Sequence, residues 1–177
     1  MAQTKHNVVR LDKLQSVYSG NLEHLINTEE DMDNGLVCFA GELFEGGIVD
    51  GLNILPREIV KVAKPTAENI KTDPLVLIAS DPVVKDARTV TSRADFYNVQ
   101  NRPMKGYILK DGDIITITKE AFEGEPEVNK YLAPVADSYK LTVTDTMPET
   151  RFKAILIEKT TLTWENTEAY AFKVIAN

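Results

Sequence analysis

The chain has 177 residues, enough for one domain that buries a core without disulfide or metal staples, and it carries 20 Lys and Arg against 27 Asp and Glu, a net charge of −7. Hydrophobic residues make up 43% and charged residues 27%, a composition that excludes disorder over the whole length. The acidic balance argues against a nucleic-acid backbone as main partner, and no apolar run reaches the roughly 18 residues of a membrane span.

Residues 1–7 are polar and lack the apolar core of a secretory signal. They begin a flexible arm, expected over residues 1–9, ahead of one β-rich domain that takes up the chain of 1–177. Residues 11–28 combine Leu11, Leu14, Val17, Leu22, Leu25 and Ile26 with Gly20, the pattern of a broken helix. Asn34-Gly35 then opens a strand from Leu36 to Phe39, closed by Gly41. Ile59–Ala63 reads as a strand that stops at Lys64-Pro65, because the residue before proline is pushed away from regular pairing. Leu75–Ala79, between Pro74 and Pro82, is a continuous apolar run suited to a strand buried on both faces. One or two helical turns are expected within Asp86–Val99.

The strongest local signal is Asp111-Gly112 between Gly106–Lys110 and Asp113–Thr118, the pattern of a two-residue hairpin with a type I′ turn. Glu120–Phe122 allows a short helical piece before Gly124 and Pro126. Lys140–Thr144 alternates cleanly, and Phe152–Glu158, continued by Thr160–Trp164, precedes a last strand at Ala169–Ile175. The fold expected is mainly β, a compact barrel or sandwich of about seven to nine short strands with little helix.

The same residues supply no assembled chemistry. Cys38 is the single cysteine, so no internal disulfide can form; it sits in the apolar run Leu36–Ala40, where a thiol behaves as a small hydrophobe. Such cysteine usage fits synthesis in a reducing cytoplasm. His6 lies near one end and His24 in an acidic stretch, and Ser16, Ser19, Ser80, Ser92 and Ser138 stand in no nucleophile elbow. With three Cys and His in total, a structural zinc site is not available. Glu29–Gly35 is rich in oxygen ligands but fails the EF-hand spacing, since the twelfth residue from Glu29 is Ala40 and from Glu30 is Gly41. Asp111 with Asp113, and Glu123, Glu125 and Glu127, are carboxylate groupings in a turn and a Gly/Pro loop, where solvent keeps them ionised. Gly46-Gly47 and Gly51 form no phosphate-binding motif. No catalytic, cofactor-binding or metal residues are therefore assigned.

Charge distribution is more telling than its sum. From Leu14 to Pro56 there is no Lys or Arg, while Glu23, Glu29, Glu30, Asp31, Asp33, Glu42, Glu45 and Asp50 all fall there. The remaining chain holds 19 acids and 20 bases, so the whole imbalance lies in this segment. A one-signed surface of this kind steers a basic partner or gathers cations.

Gly41-Glu42-Leu43, Arg57–Ala63, Asp73–Ser80 and the Gly106–Thr118 segment, which follows a polar link from Ser92 to Lys105, resemble small virion proteins of tailed bacteriophages of Gram-positive hosts over residues 35–120. The resemblance implies a non-enzymatic structural protein of the head that decorates or stabilises the capsid. Its implied partners are the major capsid protein or other virion proteins, as single copies or a homo-oligomer, with neither nucleic acid nor membrane. It implies a location in the virion after synthesis in the host cytoplasm. The alternatives are a tail or fibre-base module that binds another surface, and an enzyme whose site escapes motif reading.

Overall fold

The computed structural model describes residues 6–15, 20–49, 51–81, 93–162 and 167–177. The protein is mainly β. Its strands are β1 (Val9–Lys13), β2 (Leu22–Ile26), β3 (Val37–Leu43), β4 (Gly47–Val49), β5 (Leu52–Ile54), β6 (Ile59–Ala63), β7 (Val76–Ile78), β8 (Pro103–Ile108), β9 (Ile114–Thr118), β10 (Phe122–Glu123), β11 (Tyr131–Pro134), β12 (Leu141–Thr144), β13 (Lys153–Leu162) and β14 (Thr167–Ala176). Helix among the described residues amounts to one turn at Asn69–Thr72 and two 3-10 turns, Arg93–Asp95 and Lys119–Ala121. The strand count exceeds the seven to nine expected because pieces as short as β4, β5 and β10 leave no readable alternation and because β1 and β2 fall where a broken helix is expected. Of the helical turns expected in Asp86–Val99, residues 86–92 lie outside the described residues.

Five strands close a barrel in the order β2-β6-β3-β7-β8, antiparallel except for the parallel pair β2/β6. Closure leaves these strands no free edge. Alternation along them separates two cores. Leu25, Cys38, Val76, Ile78 and Met104 fill the barrel interior, joined by Met32. The residues between them, Val37, Phe39, Leu75, Leu77, Ala79, Tyr107 and Leu109, face outward into a second and larger cluster. Strand β7 is accordingly buried on both faces, as its unbroken apolar run suggests.

A five-stranded barrel has a narrow bore. Gly106 points into it: a Cβ there would lie 2.5 Å from Leu25 Cδ1 and 2.6 Å from Val76 Cγ1. Gly41 plays a related part. Expected to end β3, it lies inside that strand, where a Cβ would approach the Lys61 carbonyl oxygen to 2.8 Å and where the β3/β6 register shifts between Ala40 and Leu43. The glycine marks close approach at a bulge rather than a stop.

The outward face of the barrel packs on a seven-stranded sheet of order β1-β9-β14-β13-β11-β12-β10. The sheet supplies Ile115, Ile117, Leu132, Leu156, Phe172 and Val174, among others, to the shared cluster. Phe122 meets Tyr170 and Phe172 edge-on at 6.1 and 6.5 Å, a favourable aromatic geometry. The paired strands β13 and β14 lie near the middle of this sheet, as the apolar runs from Phe152 and Ala169 lead one to expect; residues 163–166 fall outside the described residues.

The expected 106–118 hairpin does not form. Strand β8 already pairs with β2 on one side and β7 on the other, so β9 has no free edge to use and joins β1 and β14 instead. A turn is present, with the Asp113 amide donating to the Lys110 carbonyl at 3.0 Å. Only Gly112 in it has a positive φ, 92°, the signature of a type II turn rather than a type I′ hairpin turn. Asp113 is 3% exposed, and its carboxylate accepts from the amides of Gln15 at 2.7 Å and Lys110 at 2.8 Å. The amide of Gly112 donates to the Val174 carbonyl and that of Val174 to the Asp113 carbonyl, both at 2.9 Å. One buried side chain thus ties barrel, sheet and N-terminal segment at a single point.

The broken helix expected at 11–28 is replaced by β1 and β2, with residues 16–19 outside the described residues. Pairing of β1 with β9 and of β2 with β6 and β8 overrides the apolar spacing. Of the arm expected at 1–9, residues 1–5 lie outside the described residues, and the chain is tied from His6 onward. The His6 amide donates to the Ala94 carbonyl at 2.8 Å, and the Val8 amide to Thr118 Oγ1 at 3.2 Å.

Two substitutions test this architecture. Gly106→Ala should overpack the barrel and cost about 1–3 kcal/mol, read as a lower denaturant midpoint with an unchanged slope. Asp113→Ala, which abandons two amide donors, should cost about 2–4 kcal/mol, and Asp113→Asn should recover part of it.

Candidate functional site

Side chains with chemical potential are mostly engaged in holding the fold. Cys38 is fully buried in the barrel, and burial pushes its thiol pKa upward, away from the reactive thiolate. His6 Nδ1 lies 2.6 Å from Asp33 Oδ1, and its ring rests on Tyr97 with centroids 4.7 Å apart. His24 is exposed on β2. Ser80 donates its amide to Asn34 Oδ1 at 2.8 Å, and its hydroxyl oxygen accepts from the Lys105 amide at 3.0 Å. Ser138 Oγ accepts from the Lys140 amide; Ser16, Ser19 and Ser92 lie outside the described residues.

The oxygen-rich loop Glu29–Gly35 turns its ligands to separate protein donors. Asp31 accepts from the Gln100 amide at 2.7 Å, and Asp33 from the Asn7 amide and His6. Asn34 Nδ2 donates to the Ser80 carbonyl at 3.0 Å, and Asn98 Nδ2 to Asn34 Oδ1 at 3.1 Å. This is a structural polar junction between the N-terminal segment, the loop before β3 and the segment between β7 and β8. Among the described residues no group of three or more His, Cys, Asp or Glu converges as a metal site would require.

The acidic groupings in the second half divide similarly. Asp111 is exposed at the turn, while Asp113, expected to be solvated, is buried and bonded to backbone amides. Glu125 pairs with Lys119 at 2.6 Å, and Lys130 pairs with Asp145 and reaches Glu127 at 3.8 Å. A cleft of about 280 Å³ runs along β1, lined by Asn7 to Asp12 with Asn34, Ala79 to Asp81 and Phe96. Its charged groups are already paired: Arg10 with Asp12 at 3.0 Å, and Asp81 with Lys105 at 2.6 Å. Among the described residues no nucleophile–base couple lines it.

What remains available is surface within the base-free segment 14–56. Glu29, Glu30, Glu42 and Glu45 are exposed and make no ion pair among the described residues. Next to Glu42 and Glu45, the hairpin β4–β5 and the residues flanking it present Leu43, Ile48, Leu52 and Leu55 at 67, 79, 46 and 48% exposure. Sequence reasoning missed this apolar feature. Its signal was the set of large apolar residues spread among Gly46-Gly47 and Gly51, read only as glycine-rich turns.

Tyr139 reports on the acidic face. It packs against the barrel core, and Lys64 Nζ lies 5.5 Å above its ring. Burial, then the carboxylates of Glu30 and Glu29, push its phenol up to about 12. The folded protein therefore keeps a proton that the unfolded chain loses near pH 10, so this contribution to stability is intact below that pH and disappears as pH rises toward 12. Spectrophotometric titration should place Tyr139 near 12. Glu29→Gln with Glu30→Gln should lower that value without returning it to the ordinary one, since burial is the larger cause.

Comparison of the chain with known protein families, with curated proteins and with solved structures finds no match.

Proposed function

We propose that this protein is a non-enzymatic structural component of a tailed-bacteriophage virion, docking on the head lattice to decorate or stabilise it. The observation that carries the reading is the exposed acidic surface of the segment 14–56, where Glu29, Glu30, Glu42 and Glu45 stand without basic neighbours in sequence or ion pairs among the described residues. Such a surface suits a basic protein face. The likeness of residues 35–120 to small virion proteins supports the head location. The partner proposed is the major capsid protein. Among the described residues no helix is long and apolar enough to cross a membrane.

Not every acid of the segment suits the proposed docking. Asp31 and Asp33 hold the loop to Gln100, Asn7 and His6, so their removal would confound binding with folding. The variant Glu29→Gln, Glu30→Gln, Glu42→Gln, Glu45→Gln should melt like the parent, because exposed charges contribute little to stability. Binding of the parent to purified heads that lack this protein should fall steeply with salt, and the variant should bind more weakly with a flatter salt dependence. Quantitative mass spectrometry of intact particles should find copies in a simple ratio to the capsid subunit. A few copies per particle would move the protein to the tail, and its absence from particles would remove the virion reading altogether.

A further inference from the structure

Eleven large hydrophobic side chains are well exposed among the described residues, and four of them, Leu43, Ile48, Leu52 and Leu55, fall within thirteen consecutive positions. The others are scattered singly, which is ordinary for a soluble surface. The four surround a hairpin whose strands pair only with each other, outside both the barrel and the seven-stranded sheet. Register places Ile48 opposite Asn53 on one face, and Leu52 opposite Val49 on the other. The element is therefore an apolar finger with side chains on both faces, not one half of a flat patch.

This finger is firmly based. Phe44 and Ile54 pack with Ile26 and Ile59 in a small core of their own, and the Phe44 amide donates to the Ile59 carbonyl at 2.8 Å. At Gly46 the backbone approaches so closely that a Cβ would lie 2.7 Å from Pro56 Cδ and 3.0 Å from the Ile54 carbonyl oxygen. A held base with Ile48 and Leu52 uncovered above it is preorganised for insertion, since little freedom is left to lose on binding.

Charge says what it inserts into. Glu42 and Glu45 are exposed beside the finger, and no Lys or Arg occurs between Leu14 and Pro56. Two copies meeting finger to finger would bring these carboxylates together on chains of net charge −7, an unfavourable arrangement. We infer that the β4–β5 hairpin is a docking anchor whose Ile48 and Leu52 enter an apolar groove, rimmed by Lys or Arg, on a different protein. The inference rests on the docking function proposed above and deepens it by naming the inserted element and the chemistry of its receptor.

The test uses the full chain and purified heads lacking this protein as probe. Ile48→Asp with Leu52→Asp should reduce binding at least about tenfold, while Val128→Asp with Val135→Asp, at exposed apolar positions elsewhere, should leave it unchanged. Thermal melts should coincide for all three proteins, because every substituted side chain is exposed. Equal binding by the hairpin variant would overturn the anchor and leave the head-protein reading standing. Failure of the parent to bind heads would overturn that reading and the receptor assigned to the hairpin with it. Concentration-dependent self-association of the parent, abolished in the hairpin variant, would give the finger to a second copy and overturn the assignment to a different protein.

Discussion

The barrel and the sheet depend on one buried carboxylate. Strand β8 has both edges occupied within the barrel, so the chain leaving it must find a new sheet within a few residues. A hairpin would have satisfied the backbone by cross-strand pairing. Here Asp113 does so instead, accepting from Lys110 behind it and Gln15 beside it while its own carbonyl accepts from Val174 of β14. A buried carboxylate is costly unless its oxygens are met by donors, and backbone amides at 2.7 and 2.8 Å meet this one. These bonds hold the end of the turn where the chain enters β9, whose Ile115 joins Phe172 and Val174 in the larger core.

With that core in place, the polar residues have little freedom for chemistry. Histidine, serine, asparagine and aspartate side chains between the N-terminal segment and the loop before β3 bond one another or the backbone. The cysteine lines a bore too narrow for a methyl group at Gly106. The distinctive surface lies in the segment rich in acids and in the hairpin beside them. The proposed docking role uses these exposed features, whose large apolar side chains lie outside the buried clusters.

Much of the architecture was legible where short-range physics decides it. Proline at 65 ended β6 at Ala63, and the doubly buried β7 showed as an unbroken apolar run. The acidic segment was visible from residue counting alone. What stayed hidden was set by distant partners. Asp111-Gly112 has the composition of a hairpin turn, and only the occupation of both β8 edges, far away in sequence, prevents one. Leu11 to Ile26 carries helix-like spacing that strand pairing overrides. Gly41 looked like a strand end because the carbonyl of Lys61 it must admit cannot be seen from its neighbours. The hairpin at residues 47–54 resembles turns in sequence because its strands are three residues long and Gly46, Gly47 and Gly51 stand at their ends.

The order of strands also governs how the molecule must assemble. All five barrel strands lie between Leu22 and Ile108, but β14, which sits between β9 and β13 in the sheet, comes last along the chain. During synthesis, the barrel segment emerges before the strand that completes its cover. Val37, Phe39, Leu77 and Tyr107 are then a greasy wall without its facing sheet, and β1 waits more than 100 residues for Ile117. Such distant closures are slow and leave apolar surface open to association. The acidic charge concentrated in the earlier part of the chain supplies repulsion between nascent molecules during that interval.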